Sequence, residues 1–162
     1  AENMIELVVS GGQTGADQAG WRAAKRYGIA TAGWMPKGFK TEAGARPDFA
    51  EAYGAKSHGS ASYRDRTISN IGLADATILF GDTGSPGSRL LIREATDVNH
   101  PFFSVKGPEC PPPGYTFSRI LRWTGIKTLN VAGNRESSSP GIGAWVEEYL
   151  CEVFRLLGHK EV

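Results

Sequence analysis

Cysteine is scarce in this sequence: only Cys110 and Cys151 occur, far apart and without a C-x-x-C spacing. Two such residues are too few for a disulfide framework and lack the spacing of a structural zinc site, so we expect reduced thiols. The three histidines, His58, His100 and His159, are scattered and do not pair at helical spacing. They therefore predict no metal site, and the fold is expected to form without cross-links or structural metal.

Long apolar runs and excess charge are absent as well. No stretch approaches the roughly 18 residues of a membrane span, and the first residues do not resemble a secretory signal. Lys and Arg number 18 against 17 Asp and Glu, a net charge of +1, which argues against broad electrostatic capture of nucleic acid or anionic lipid. We expect a cytoplasmic protein, with no nucleic-acid or membrane partner, folded as a single domain over residues 1–162.

Glycine, in contrast, is abundant, at 21 of 162 residues, nearly twice the usual share of about 7%. Apolar runs at 4–9, 77–80, 102–105 and 127–132 predict strands, and amphipathic stretches at 16–27, 66–73, 90–98, 118–123 and 142–157 predict helices. Strands that are almost wholly apolar and alternate with helices predict a doubly wound, Rossmann-like α/β domain with a mainly parallel sheet of about five strands. Residues 34–62 and the proline-rich residues 106–114 break this rhythm and are predicted to be loops, the longer one a binding loop.

Three glycine-rich loops, residues 10–17, 81–88 and 133–141, each follow a predicted strand and precede a helix. In an open parallel sheet such loops share the edge formed by the carboxyl ends of the strands, where ligands bind. Glycine lets backbone amides approach an anion closely, and the N-terminus of the next helix adds partial positive charge. This arrangement predicts a phosphate-binding edge.

The first loop lacks the lysine of a P-loop and the G-x-G-x-x-G spacing, which disfavours that type of nucleotide hydrolysis and ordinary dinucleotide binding. The backbone amides of this loop and the side chains of Gln13 and Thr14 are predicted to hold a phosphate. The alternative is that the glycines only permit a tight turn and that the aspartate serves the start of the helix. The candidate residues are Gly11, Gly12, Gln13, Thr14, Gly15 and Asp17.

The other two loops supply hydroxyl groups, amides and one cation. The candidates are Gly84, Ser85 and Ser88 in the second loop and Gly133, Arg135 and Ser137 in the third. Two simpler interpretations stay open: the second loop can be a plain Pro-Gly turn, and Arg135 can pair with Glu136 or Asp17 instead of a ligand.

Two further cations are candidates from outside these loops. Lys37 lies near Trp34, whose ring can stack on a flat heterocycle or bury itself against another subunit. Arg64 and Arg66 are two residues apart on a predicted helix and point to different faces, so at most one is expected to reach a shared site. We include Lys37 and Arg66 in the predicted site.

Four motifs in order carry a family resemblance: residues 10–17 (SGGQTGAD), 33–38 (GWMPKG), 63–70 (YRDRTISN) and 130–141 (NVAGNRESSSPG). Together they resemble the molybdenum (molybdenum-cofactor) carrier family, a distant relative of the DprA and Lonely Guy group. The resemblance implies a Rossmann-like domain, a homo-oligomer (dimer or tetramer), and a site that holds phosphorylated molybdopterin without transforming it. Molybdoenzymes or cofactor-biosynthesis proteins would then be partners.

Two segments depart from the family pattern: residues 83–88 exceed the family's compact Thr-Gly-Gly-Thr, and residues 41–47 only approximate its acidic stretch. The first hypothesis is a carrier protein, because the glycine loops are clustered and the sequence has no G-x-S-x-G elbow or recognisable Cys–His pair. The alternative is a phosphoribohydrolase of the Lonely Guy type, with Glu94 or Asp17 as the carboxylate that stabilises an oxocarbenium-like centre. A third is a nucleotide-sensing or structural module.

Overall fold

The computed structural model describes residues 4–108 and 114–162. The strands are β1 (Leu7–Ser10), β2 (Ala30–Met35), β3 (Lys40–Thr41), β4 (Gly44–Ala45), β5 (Ala55–Ser57), β6 (Ala76–Phe80), β7 (Phe102–Val105) and β8 (Thr128–Gly133). The helices are α1 (Ala16–Arg26), α2 (Phe49–Tyr53), α3 (Tyr63–Leu73), α4 (Pro86–Asp97), α5 (Gly114–Thr124) and α6 (Ile142–Leu156).

Six of the strands form one parallel sheet in the order β5-β2-β1-β8-β6-β7. Its register places Val8 opposite Thr31 on one side and Leu129 on the other. Strands β3 and β4 form a separate antiparallel pair. The Rossmann-like prediction is confirmed, and the sheet has one strand more than the approximate five.

The two faces of the sheet bury two separate sets of side chains, because successive residues of a strand point to opposite faces. On β6, Ile78 and Phe80 belong to the larger core, together with residues of α1, α5 and α6. Leu79 points the other way and packs in a smaller core with Leu91 of α4 and Ile71 of α3. This two-sided burial explains why β6 consists entirely of buried residues.

Local signals set where two helices begin. Helix α3 begins at Tyr63 because the Ser62 hydroxyl accepts hydrogen bonds from the N–H groups of Arg64 (3.2 Å) and Asp65 (3.4 Å). Helix α4 begins at Pro86, four residues before the predicted start, after the cap at Ser85.

The prediction of one long loop over residues 34–62 is wrong. This segment completes β2 and then forms the β3–β4 pair, α2 and the edge strand β5. These elements are too short to produce a periodic pattern, and tertiary contacts hold them: Trp21 stacks on Tyr53 with ring centroids 4.9 Å apart. Of the predicted proline-rich loop, residues 109–113 with Cys110 lie outside the described residues.

No helix within the described ranges combines the length and apolar character needed to cross a membrane. Over the same residues, no group of three or more His, Cys, Asp or Glu side chains is placed to hold a metal ion.

Candidate functional site

The loops after β1, β6 and β8 meet at the carboxyl edge of the sheet, because these strands are neighbours. Between the loops, α3 and the first turns of α4 lies a cavity of about 500 Å³. One part of its wall is polar and charged: Gln13, Asp17, Arg66, Ser85, Ser88, Asn134, Arg135, Ser137 and Ser138. The rest of the wall is mainly apolar and includes Tyr63, Leu79, Leu90, Leu91 and Ala132.

Gln13 is 4% exposed and has a fixed orientation. Its Oε1 accepts hydrogen bonds from the N–H groups of Thr14 (3.1 Å) and Glu42 (2.9 Å). Its Nε2 is buried and has no partner among the described residues. A buried amide donor without a partner costs free energy, so this N–H group is suited to donate a hydrogen bond to an acceptor on a bound molecule.

Asp17, which is buried, and Arg66, which is partly buried, form a loosely paired couple. Asp17 is 3% exposed, and the Arg66 Nη2 lies 3.8 Å from its Oδ2. Burial raises the pKa of Asp17 to about 6, although Arg66 and the N–H of Gln13 oppose the shift. The Nε of Arg66 is buried without a partner in residues 4–108 and 114–162, so the guanidinium has capacity for another acceptor.

Gly11 makes the position of this arginine possible. A Cβ at residue 11 would lie 2.1 Å from the Arg66 Nη1, so only a glycine lets the guanidinium lie against the first loop. Arg64, two residues earlier, is exposed and pairs with Glu94 at 3.1 Å. As expected from their spacing, only one of the two cations reaches the cavity.

Three cations surround the ring of Tyr63. The guanidinium carbons of Arg135 and Arg66 lie 5.0 Å and 5.5 Å from its centroid, and the Lys40 Nζ lies 5.6 Å away. Within the described part of the chain, Arg135 and Lys40 form no ion pair within 4 Å. Arg135 therefore pairs with neither Glu136 nor Asp17. The Glu136 carboxylate instead accepts hydrogen bonds from backbone N–H groups at the start of α6.

Asn134 joins the second and third loops and was not singled out from the sequence. Its Oδ1 accepts from the Asp82 N–H (2.7 Å), and its Nδ2 donates to the Asp82 carbonyl (3.0 Å) and the Ser85 hydroxyl (3.1 Å). Ser85 also caps α4 by accepting from the Ser88 N–H. The only sequence signal for Asn134 was its place directly after a strand ending in glycine.

Glu42 is a second residue that the sequence analysis missed. Its carboxylate accepts hydrogen bonds from the hydroxyl groups of Thr14 and Ser137 and from the Ser137 N–H. These hydrogen bonds, Ser137 first and then Thr14, lower the pKa of Glu42. The two hydroxyl groups expected to meet a phosphate therefore contact a carboxylate of the chain itself. The sequence signal that could have indicated Glu42 was its position in residues 41–47, the segment that approximates the family's acidic stretch.

The structure brings eight of the predicted site residues to the cavity wall: Gln13, Asp17, Arg66, Ser85, Ser88, Gly133, Arg135 and Ser137. Six others are not part of the wall: Gly11, Gly12, Thr14, Gly15, Lys37 and Gly84. Lys37 is exposed, and its place in the site stays a prediction. Trp34 is also outside the wall, held by Asn70 through both backbone groups.

A parallel sheet whose glycine loops border a cavity with buried, unpartnered donors defines a Rossmann-like domain with a candidate anion site. The family model described as the circularly permutated YpsA SLOG family (cpYpsA) matches residues 8–154, and the chain belongs to this family.

The chain is also similar to a solved crystal structure, named "Putative molybdenum carrier protein", from Syntrophus aciditrophicus SB. The TM-score is 0.81 at 32% sequence identity, over 93% of this chain and 94% of that one. No curated protein matches the chain. The resemblance inferred from the sequence motifs is confirmed.

Proposed function

We propose that this protein binds a phosphorylated small molecule at the carboxyl edge of its sheet, and that the molecule is the phosphorylated molybdopterin form of the molybdenum cofactor. One observation carries the binding proposal. The Nε of Arg66 and the Nε2 of Gln13 are buried donors without partners in the part of the chain that the structure describes, and both residues line the same cavity. A phosphate oxygen supplies the acceptor that both atoms lack.

The charges near the cavity support an anionic group. Arg66, Arg135 and Lys40 surround Tyr63, against two carboxylates: Asp17, which pairs with Arg66, and Glu42, whose pKa Arg135 helps to lower. A phosphate monoester carries close to two negative charges at neutral pH, which suits this excess of cations.

The apolar part of the wall supports a ring system attached to the phosphate. Leu79, Leu91 and Ala132 provide apolar surface in the same cavity wall as the charged groups. The similarity to a structure named as a molybdenum carrier supports a pterin as that ring. The cofactor would be cargo, and the residues of this chain would bind and orient it.

The test is isothermal titration of phosphorylated molybdopterin into the wild type, Arg66→Met and a control, Arg64→Met. Losing a charge-assisted hydrogen bond costs about 1.5–3 kcal/mol, so Arg66→Met should weaken binding roughly 10- to 100-fold. Arg64 is exposed and paired with Glu94, so its variant should bind like the wild type. Equal affinities for all three folded proteins would contradict the proposal.

A phosphoribohydrolase is the second candidate, and one observation favours it. Asp17 is a buried carboxyl in the cavity wall with a pKa of about 6, a value useful for acid–base chemistry near neutral pH. Glu94, the other carboxylate considered, is outside the wall and pairs with Arg64. Release of free base from nucleoside monophosphates, lost in Asp17→Asn, would support this function. No release from any common nucleotide would contradict it.

The resemblance also implies a dimer or tetramer, and we retain this as a proposal. Light scattering coupled to size-exclusion chromatography would give the mass of the assembly. A monomer at micromolar concentration would contradict it.

A further inference from the structure

The carboxylate of Glu42 is held as a bound anion would be held. The hydroxyl of Thr14, from the first loop, and the N–H of Ser137, from the third, both donate to Oε2. The Ser137 hydroxyl donates to Oε1 at 2.5 Å. Two hydroxyl groups and a backbone amide, converging from separate glycine loops, form a donor set that suits a phosphate oxygen equally well.

The segment that carries Glu42 lies at the surface: residues 42–45 are exposed, whereas Thr41 before them is buried. Glu42 is exposed and lies in the turn between β3 and β4, which are two residues long each. The turn is closed mainly by Thr41, whose hydroxyl donates to the Gly44 carbonyl at 2.6 Å. Glu42 belongs to neither core, so displacement of its side chain breaks the hydrogen bonds of its carboxylate and removes no core side chain.

One of the two residues that donate to Glu42 also lines the cavity. Ser137 lines the cavity and also donates to the Glu42 carboxylate. Gln13 lines the cavity and accepts the Glu42 N–H. Thr14, which donates to Glu42, directly follows Gln13 in the first loop. The site of the Glu42 side chain therefore adjoins the part of the cavity that contains the free donors of Gln13 and Arg66.

The surrounding charge exceeds what Glu42 and Asp17 neutralise. Arg135 and Lys40 border Tyr63 without an ion pair in the described residues, and Arg135 lies close enough to Glu42 to lower its pKa. A phosphoryl group in place of the Glu42 carboxylate would be attracted to these cations more strongly than the single negative charge of Glu42 is.

We propose that the donors around Glu42 form a second anion subsite, filled in this structure by the chain's own carboxylate, which accepts the second phosphoryl group of a ligand containing a diphosphate. This inference rests on the proposed function, because the first phosphoryl group occupies the position at Arg66 and Gln13. Glu42 then discriminates between ligands: a monophosphate leaves it in place, and a diphosphate displaces it.

The experiment compares inorganic phosphate with pyrophosphate as probes, by isothermal titration at pH 8, on the wild type, Glu42→Ala and Glu51→Ala. Glu42→Ala keeps the backbone N–H that orients Gln13 and frees the three donors. We expect its affinity for pyrophosphate to rise at least about tenfold, and its affinity for phosphate to change less than about threefold. Glu51 is an exposed carboxylate on α2, so its variant controls for the loss of one negative charge and should match the wild type.

A second variant, Glu42→Gln, separates the effect of a side chain that occupies the subsite from the effect of the negative charge of Glu42. The amide keeps a group in the subsite, so we expect a smaller gain for pyrophosphate than with Glu42→Ala. Equal gains for phosphate and pyrophosphate in Glu42→Ala would overturn the second subsite and leave the proposed function intact. Weaker binding of both would also overturn it, by showing that Glu42 only holds the loops together. Phosphate binding that is unaffected by Arg66→Met would instead refute the first position, and with it the proposed function.

Discussion

Replacing Asp17 with asparagine should change how the stability of the protein depends on pH. Asp17 is 3% exposed, and burial raises its pKa from 3.8 to about 6 against the opposing effects of Arg66 and the Gln13 N–H. The folded protein therefore binds this proton more tightly than the unfolded chain does. The stability that the proton provides is complete below pH 3.8 and is lost as the pH rises through about 6.

The size of the effect follows from the shift. A change of one pKa unit corresponds to about 1.4 kcal/mol, so the full contribution of Asp17 is about 3 kcal/mol. Raising the pH from 5 to 8 should remove roughly 1.4 kcal/mol of it, since the folded-state pKa lies about one unit above the starting pH. An asparagine does not titrate, so the Asp17→Asn variant should lack this loss.

Urea unfolding followed by circular dichroism at pH 5, 6, 7 and 8 measures the difference. The free energy of unfolding of the wild type relative to Asp17→Asn should fall by about 1.4 kcal/mol over this range. Asp97→Asn, which removes an exposed carboxylate at the end of α4, should follow the wild type. Parallel pH profiles for the wild type and Asp17→Asn would refute the burial argument for Asp17.

Two further substitutions test how the loops are joined. Gly15→Ala should cost about 3 kcal/mol or more, because φ is +82° and the new Cβ would lie 2.4 Å from the Asn134 carbonyl oxygen. Gly141→Ala, at φ +91° with nothing within 4 Å of its Cβ, should cost only about 1–2 kcal/mol. If urea unfolding shows equal losses of stability for Gly15→Ala and Gly141→Ala, the close approach of the loops is refuted. Asn134→Ala should cost about 2–3 kcal/mol by removing the partners of both Asp82 backbone groups, and thermal stability equal to the wild type would contradict that role.

The alternation of strands and helices was predictable because it depends on local patterns. The apolar run of β6 and the amphipathic α6 were predicted with nearly their observed bounds. The segment from residue 34 to residue 62 was not predictable in the same way. Strand β5 has three residues and α2 has five, and such elements are held by contacts with distant residues, such as those between Trp21 and the rings of Phe49 and Tyr53.

The edge of the sheet that carries the cavity was also predictable, because glycine loops after parallel strands share one edge. The partners of individual side chains were not. Thr14 and Ser137 were expected to face a ligand, and in the structure the hydroxyl groups of both donate hydrogen bonds to the Glu42 carboxylate. Lys37 was expected near the site and is exposed outside the cavity wall.

The sequence by itself determined the layers of this protein and where its loops would gather, since periodicity and glycine placement act over a few residues. Only the tertiary structure decided which charged and polar atoms have partners. Asp17 meets Arg66 across 49 residues, and Glu42 meets Ser137 across 95. Those encounters depend on the order of strands in the sheet and on how α3 and the β3–β4 turn pack over it, and no local pattern encodes that arrangement.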